Sequence, residues 1–88
     1  MILVNVQIMN ELGLHARPIS KLTRFASAYE GTISLIKNGK SYDAGNVLDL
    51  ITLNAKYGDW LEAKIEGKDE AATAEEITKL FNTKFGEL

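Results

Sequence analysis

The chain holds a single histidine, His15, two residues before an arginine, Arg17, in the run Gly13-Leu14-His15-Ala16-Arg17-Pro18. A neutral imidazole keeps a lone pair for nucleophilic attack near pH 7. A guanidinium binds phosphate oxygens at two points. The run lies where an alternating apolar segment ends and a helical one begins. The first N–H groups of a helix have no partner inside it, and the dipole makes that end mildly positive. An anion is well placed there, and the same field favours the neutral form of a nearby ring. Pro18 suits the first turn, where its missing N–H costs nothing. It also disfavours a helical Arg17, which leaves the first helical residue open. Backbone donors of Ala16 and Arg17 would face a group on the His15 ring. Nucleophile, anion donors and a neutralising arginine thus meet within four residues. That combination suits phosphoryl transfer, which depends on positioning and charge stabilisation. An ordinary surface histidine beside an arginine has the same spacing, and spacing alone leaves that alternative open.

The surrounding chain has to hold these residues in place. Ile2, Val4, Val6 and Ile8 alternate with Leu3, Asn5 and Gln7, the period of a strand. Glu11-Leu12-Gly13 breaks the pattern. From about Ala16 to Tyr29, Ile19, Leu22, Phe25, Ala26 and Tyr29 recur at helical spacing, with Ser20, Lys21 and Arg24 largely opposite. Gly31 is a helix stop. Thr32 to Ile36 is β-branched, Asn38-Gly39 is a tight-hairpin signal, and Lys40 to Asp43 returns as an edge strand. Asn46 caps a short helix containing Val47, Leu48, Leu50, Ile51 and Leu53, with Asp49 in its first turn. Trp60 to Ile65 alternates again up to Gly67. Asp69 is placed to cap a last helix from Glu70 to about Phe85, with Ala74, Ile77, Phe81 and Phe85 on its inner stripe. The order βαββαβα predicts an α+β fold, an open-faced two-layer sandwich. Its four-stranded antiparallel sheet carries three helices on one face.

Composition narrows the function. With 88 residues, one domain over 1–88 is expected. Hydrophobic residues make up 45% and charged residues 25%, ordinary for a globular protein. There is no cysteine, and one histidine without thiolates argues against a metal site. The N-terminus carries no basic leader and no apolar run long enough for a membrane span, so a cytoplasmic protein without membrane insertion is the expectation. The net charge of −2 argues against nucleic acid as the main partner. The charge is uneven. No acid occurs between Leu12 and Tyr29, the segment of His15, whereas acids outnumber bases from Asp59 onward. That acidic end reads as a solvated face.

Gly13-Leu14-His15-Ala16-Arg17-Pro18 resembles the active-site signature of the HPr phosphocarriers of the bacterial phosphoenolpyruvate-dependent phosphotransferase system. The likeness extends through Asn38-Gly39-Lys40, the apolar helix after Asn46, Gly58-Asp59 and Glu66-Gly67-Lys68-Asp69-Glu70. The resemblance implies that His15 takes a phosphoryl group on Nδ1 from phosphorylated enzyme I and passes it to a IIA protein or domain. It implies that Arg17 stabilises the phosphohistidine. It describes a stoichiometric carrier rather than an enzyme, with no cofactor, acting as a monomer in sugar uptake. The chain has neither a P-loop nor paired metal ligands, which fits a protein that is phosphorylated by a partner.

Family members meet their partners through the first helix and the short second one. On this chain that implies Ser20 and Arg24, then Val47, Leu48 and Ile51. The second helix is apolar nearly all round, so some of these three should be exposed and form a docking patch. Two departures stand out. Many relatives carry a serine, target of an ATP-dependent kinase, where this chain has Asn46, so that switch should be absent. Asp49 stands where glycine or lysine is common and puts negative charge beside the patch. Leu80-Phe81-Asn82 with Phe85 also resembles the nitrogen-related regulatory branch of the family. A regulatory relative that acts by docking alone is a further alternative, and it would tolerate loss of His15.

Overall fold

Residues 1–87 are described by a computed structural model. The chain runs through β1 (Ile2–Gln7), α1 (Ala16–Ala28), β2 (Gly31–Lys37), β3 (Lys40–Asp43), α2 (Val47–Leu53), β4 (Trp60–Gly67) and α3 (Glu70–Asn82), with a 3₁₀ turn at Lys84–Gly86. The strands form one antiparallel sheet in the order β1-β4-β2-β3. Register explains why alternation in the sequence becomes a single apolar face. Val6 lies opposite Leu61, Val4 opposite Ala63 and Ile2 opposite Ile65, while Ile33 and Leu35 face Ile65 and Ala63 from the other side. These side chains fill the covered face. Leu3, Asn5, Glu62 and Trp60 point to the open one, as period-2 geometry requires. The expected open-faced sandwich is the observed one.

The helices bury complementary stripes. Pro18, Ile19, Leu22 and Ala26 are buried on α1, Leu50 and Leu53 on α2, and Ala74, Ile77 and Phe81 on α3. The hairpin turn takes left-handed φ at both Asn38 and Gly39, the pattern that Asn-Gly favours.

The last helix differs from expectation at both ends. Asp69 does not cap α3 through its side chain. Its own φ is +51°, and Glu70 instead accepts the N–H of Gly67 at 2.9 Å. The helix also stops at Asn82 rather than near Phe85. Lys84 and Phe85 both adopt left-handed φ, +56° and +53°. The turn still buries Phe85, which meets Phe81 edge-on with ring centroids 4.8 Å apart. All four members of the expected inner stripe are therefore buried, but the last reaches the core by a reversal of the chain rather than by another helical turn.

Candidate functional site

His15 is the N-cap residue of α1, with extended backbone at φ −94° and ψ −171°. Its carbonyl accepts the first intrahelical bond, from Ile19 at 3.0 Å. The helix therefore begins at Ala16, and Arg17 is helical despite preceding Pro18. His15 makes no side-chain cap bond, and the first turn holds no acid. Among the described residues, the amides of Ala16 and Arg17 have no partner. Those are the donors an anion would use at a helix start.

The loop that delivers His15 is set by backbone geometry. Gly13 donates to the Asn10 carbonyl at 2.9 Å, and Leu14 to the Ala55 carbonyl at 2.9 Å. Gly13 has φ +72°, and a Cβ there would lie 2.7 Å from the Ala55 oxygen. Only glycine permits both the conformation and the approach. The strand exit is thereby clamped against the segment following α2, which sets the start of α1 beside the end of α2.

The His15 ring is half-buried and faces the end of the chain. Its Nε2 lies 3.0 and 3.1 Å from the two carboxylate oxygens of Glu87. The same carboxylate accepts a hydrogen bond from Nδ2 of Asn10, which is buried and also donates to the Lys84 carbonyl at 2.9 Å. The Asn10 amide, followed by the His15 ring, holds the Glu87 carboxyl below the usual range. His15, Arg17, Asn10, Lys84, Gly86 and Glu87 line a cleft of about 430 Å³. Arg17 is exposed in it. The acidic end of the chain is thus not only a solvated face, since one of its carboxylates belongs to the histidine site.

A second concavity, about 590 Å³, runs between α1 and α2 with His15 at its edge. Ser20, Val47 and Ile51 line it together with Leu12. Leu48 is 73% exposed, Ile51 56% and Val47 49%. All three are outward, because Leu50 and Leu53 already satisfy the core beneath α2. Ser20 and Arg24 are exposed on α1, with Arg24 Nη2 3.4 Å from the Ser20 hydroxyl. The side chain of Asn46 caps α2 by accepting the N–H of Asp49 at 3.1 Å. Asp49 does not present a free carboxylate to the groove. It accepts the Asp43 N–H at 2.9 Å, tying α2 back to β3.

Sequence reasoning does not single out Asn10, Glu87 or Leu12. Leu12 is 79% exposed beside the groove. Glu87 lies 72 residues from His15 and carries no local motif. A buried polar residue at a strand exit is the one available signal for Asn10, and burial is legible only in three dimensions.

Comparison with known proteins places this architecture. Residues 3–83 match the family described as "PTS HPr component phosphorylation site". Phosphocarrier protein HPr of Neisseria meningitidis serogroup A is 35% identical over 83 residues, covering 94% of this chain and 93% of the relative. Phosphocarrier protein NPr of Shewanella violacea is 35% identical over 82 residues, covering 93% and 90%. A crystal structure of HPr from Thermoanaerobacter tengcongensis superposes with a TM-score of 0.93 at 31% identity, covering 100% of this chain and 99% of that one. The chain belongs to the HPr phosphocarrier family of the phosphotransferase system.

Proposed function

We propose that this protein carries a phosphoryl group on Nδ1 of His15, accepting it from phosphorylated enzyme I and passing it to a IIA component in sugar uptake. The observation that carries this reading is the unfilled start of α1. A histidine occupies the cap position without capping, two backbone donors lack partners among the described residues, and Arg17 stands beside them. A phosphoryl group on the ring would meet donors and positive charge where charge develops in transfer. The chain acts stoichiometrically, one phosphoryl group per His15, in the cytoplasm, and requires no metal or cofactor of its own. Partners dock on Ser20 and Arg24 of α1 and on Val47, Leu48 and Ile51 of α2, where apolar surface lies next to a basic side chain. Asn46 has no hydroxyl to modify, so an ATP-dependent seryl kinase leaves this position unlabelled.

Incubation with enzyme I and phosphoenolpyruvate should yield one phosphoryl group per chain, labile to acid and stable to base. His15→Ala should remain unlabelled. Equal labelling of wild type and His15→Ala would defeat the proposal.

A second reading, service in the nitrogen-related branch, is favoured by two observations. The NPr relative matches at the same 35% identity as the HPr relative, and Leu80-Phe81-Asn82 with Phe85 resembles that branch. Phosphoryl exchange with purified IIA proteins of the sugar and nitrogen-related types separates the two. If His15→Ala keeps every partner and phenotype, the docking-only alternative replaces both.

A further inference from the structure

We propose that Glu87 is a positioning residue for His15: its carboxylate, held by Asn10, keeps the ring proton on Nε2 and leaves the lone pair on Nδ1. An ionised carboxylate can only accept hydrogen bonds. Two carboxylate oxygens at 3.0 and 3.1 Å from Nε2 therefore require Nε2 to be the N–H. A neutral imidazole has one N–H, so Nδ1 then holds the free electron pair, and the bond made by one ring nitrogen fixes the role of the other. No described residue bonds Nδ1, and the ring makes no cap bond to α1.

The segment bearing Glu87 is anchored from several directions. Asn10 donates to the Lys84 carbonyl at 2.9 Å, and Lys21 Nζ donates to the Phe85 carbonyl at 2.7 Å. Phe85 is 1% exposed. Lys84 and Phe85 are held at left-handed φ, a conformation that a bulky residue such as phenylalanine rarely adopts. Such backbone persists where its surroundings over-determine it. Here the surroundings are the contacts that also place Glu87. Asn10 serves both ends, since its carbonyl closes the turn that leads to Gly13 and its amide holds the carboxylate.

The chemical consequence rests on the phosphoryl-acceptor reading. The Nδ1 pair forms the N–P bond while the bond from phosphorus to the donor breaks, its electrons leaving with the donor. The proton on Nε2 stays in place. The ring gains positive charge, and the Glu87 carboxylate faces it. In onward transfer the N–P electrons return to Nδ1, and the neutral ring with its Nε2 proton is restored.

The test begins with ¹⁵N–¹H spectra of the full chain without any donor. Wild type should show a single ring form, with a hydrogen-bonded Nε2 proton slowed in exchange and a bare Nδ1. Glu87→Ala should lose the slowed proton and populate both ring forms, and Asn10→Ala should weaken the bond in the same direction. Amide spectra of Glu87→Ala should otherwise match wild type, since the side chain is outside the core. Transfer from phosphorylated enzyme I should slow by about tenfold in Glu87→Gln, which keeps the shape and loses the charge, the lower end of the scale for losing the carboxylate partner of a metal-bound histidine. Glu87→Asp should recover part of the rate. An unchanged Nε2 proton in Glu87→Ala, or a wild-type rate in Glu87→Gln, would overturn the proposal. The ring spectra need no phosphoryl donor, so their failure leaves the acceptor reading standing. A chain with the expected ring spectra that never labels would instead defeat the acceptor reading.

Discussion

The starts of α1 and α2 are built in opposite ways. At α2, Asn46 accepts the Asp49 N–H, and Asp49 reaches back to the Asp43 N–H, so cap and acid are both used internally. At α1, the cap position holds a histidine that makes no cap bond, the first turn has no acid, and two amides are left without partners among the described residues. A capped helix start is a structural terminus. On the proposed function, the uncapped one beside His15 and Arg17 receives an anion. On the same reading, the outer side chains of α2, Val47, Leu48 and Ile51, serve docking and the open start of α1 serves chemistry.

Four experiments probe this contrast. The largest effect is expected from Arg17→Ala, which removes the positive side chain of the open start. Transfer from enzyme I should slow by about 100-fold, the scale seen when one donor to a developing charge is lost. Rapid-quench labelling measures it, and a change below about threefold would argue that the backbone donors suffice. Gly13→Ala should come next, because a Cβ would meet the Ala55 oxygen at 2.7 Å and φ is +72°. A loss of about 1–3 kcal/mol is expected in denaturant unfolding, the cost of a strained backbone position. Amide shifts should spread to Ala55 as well as His15, because this contact joins the start of α1 to the segment following α2. Shifts confined to residues 12–16 would show that the start of α1 and the end of α2 are not coupled.

Asn46→Ala tests the closed start directly. It should cost about 1 kcal/mol, as loss of an N-cap does. His15→Ala removes no cap bond and should cost less, so the reverse order in thermal unfolding would break the comparison.

The smallest effect is pH dependence. The Asn10 amide and the His15 ring hold the folded Glu87 carboxyl below its ordinary value of 4.5. A lowered folded value means that the unfolded chain takes up the proton first as pH falls. The stabilising contribution is therefore complete above about pH 4.5 and is lost as pH drops through the folded value. Carboxyl ¹³C titration should place the Glu87 midpoint below 4.5, and Asn10→Ala should raise it. A midpoint at or above 4.5 in wild type would contradict the geometry.

Local signals in the sequence account for most of the fold. Alternation in Ile2–Ile8 and Trp60–Ile65 marks strands whose apolar members meet in register, and Asn38-Gly39 marks the hairpin between β2 and β3. Asn46 is readable as a cap because capping is local, requiring only an amide three residues away. The end of α3 is not readable in this way. Phe85 continues a helical stripe in the sequence, yet the chain reverses at Lys84 and Phe85 for bonds that come from Asn10 and Lys21. Asp49 shows the same limit: its charge is visible in the sequence, but its partner on the preceding strand is not.

The histidine, its arginine, the order of elements and the apolar surplus of the second helix are all written in residue type and short-range spacing. What His15 faces is a matter of tertiary structure. Asn10 and Glu87 meet beside one ring from positions 77 residues apart, and no periodicity links them. Their encounter follows from the packing of α3 beside β1 and from the reversed turn beyond it. Those long-range contacts give the lone histidine a partner on one ring nitrogen.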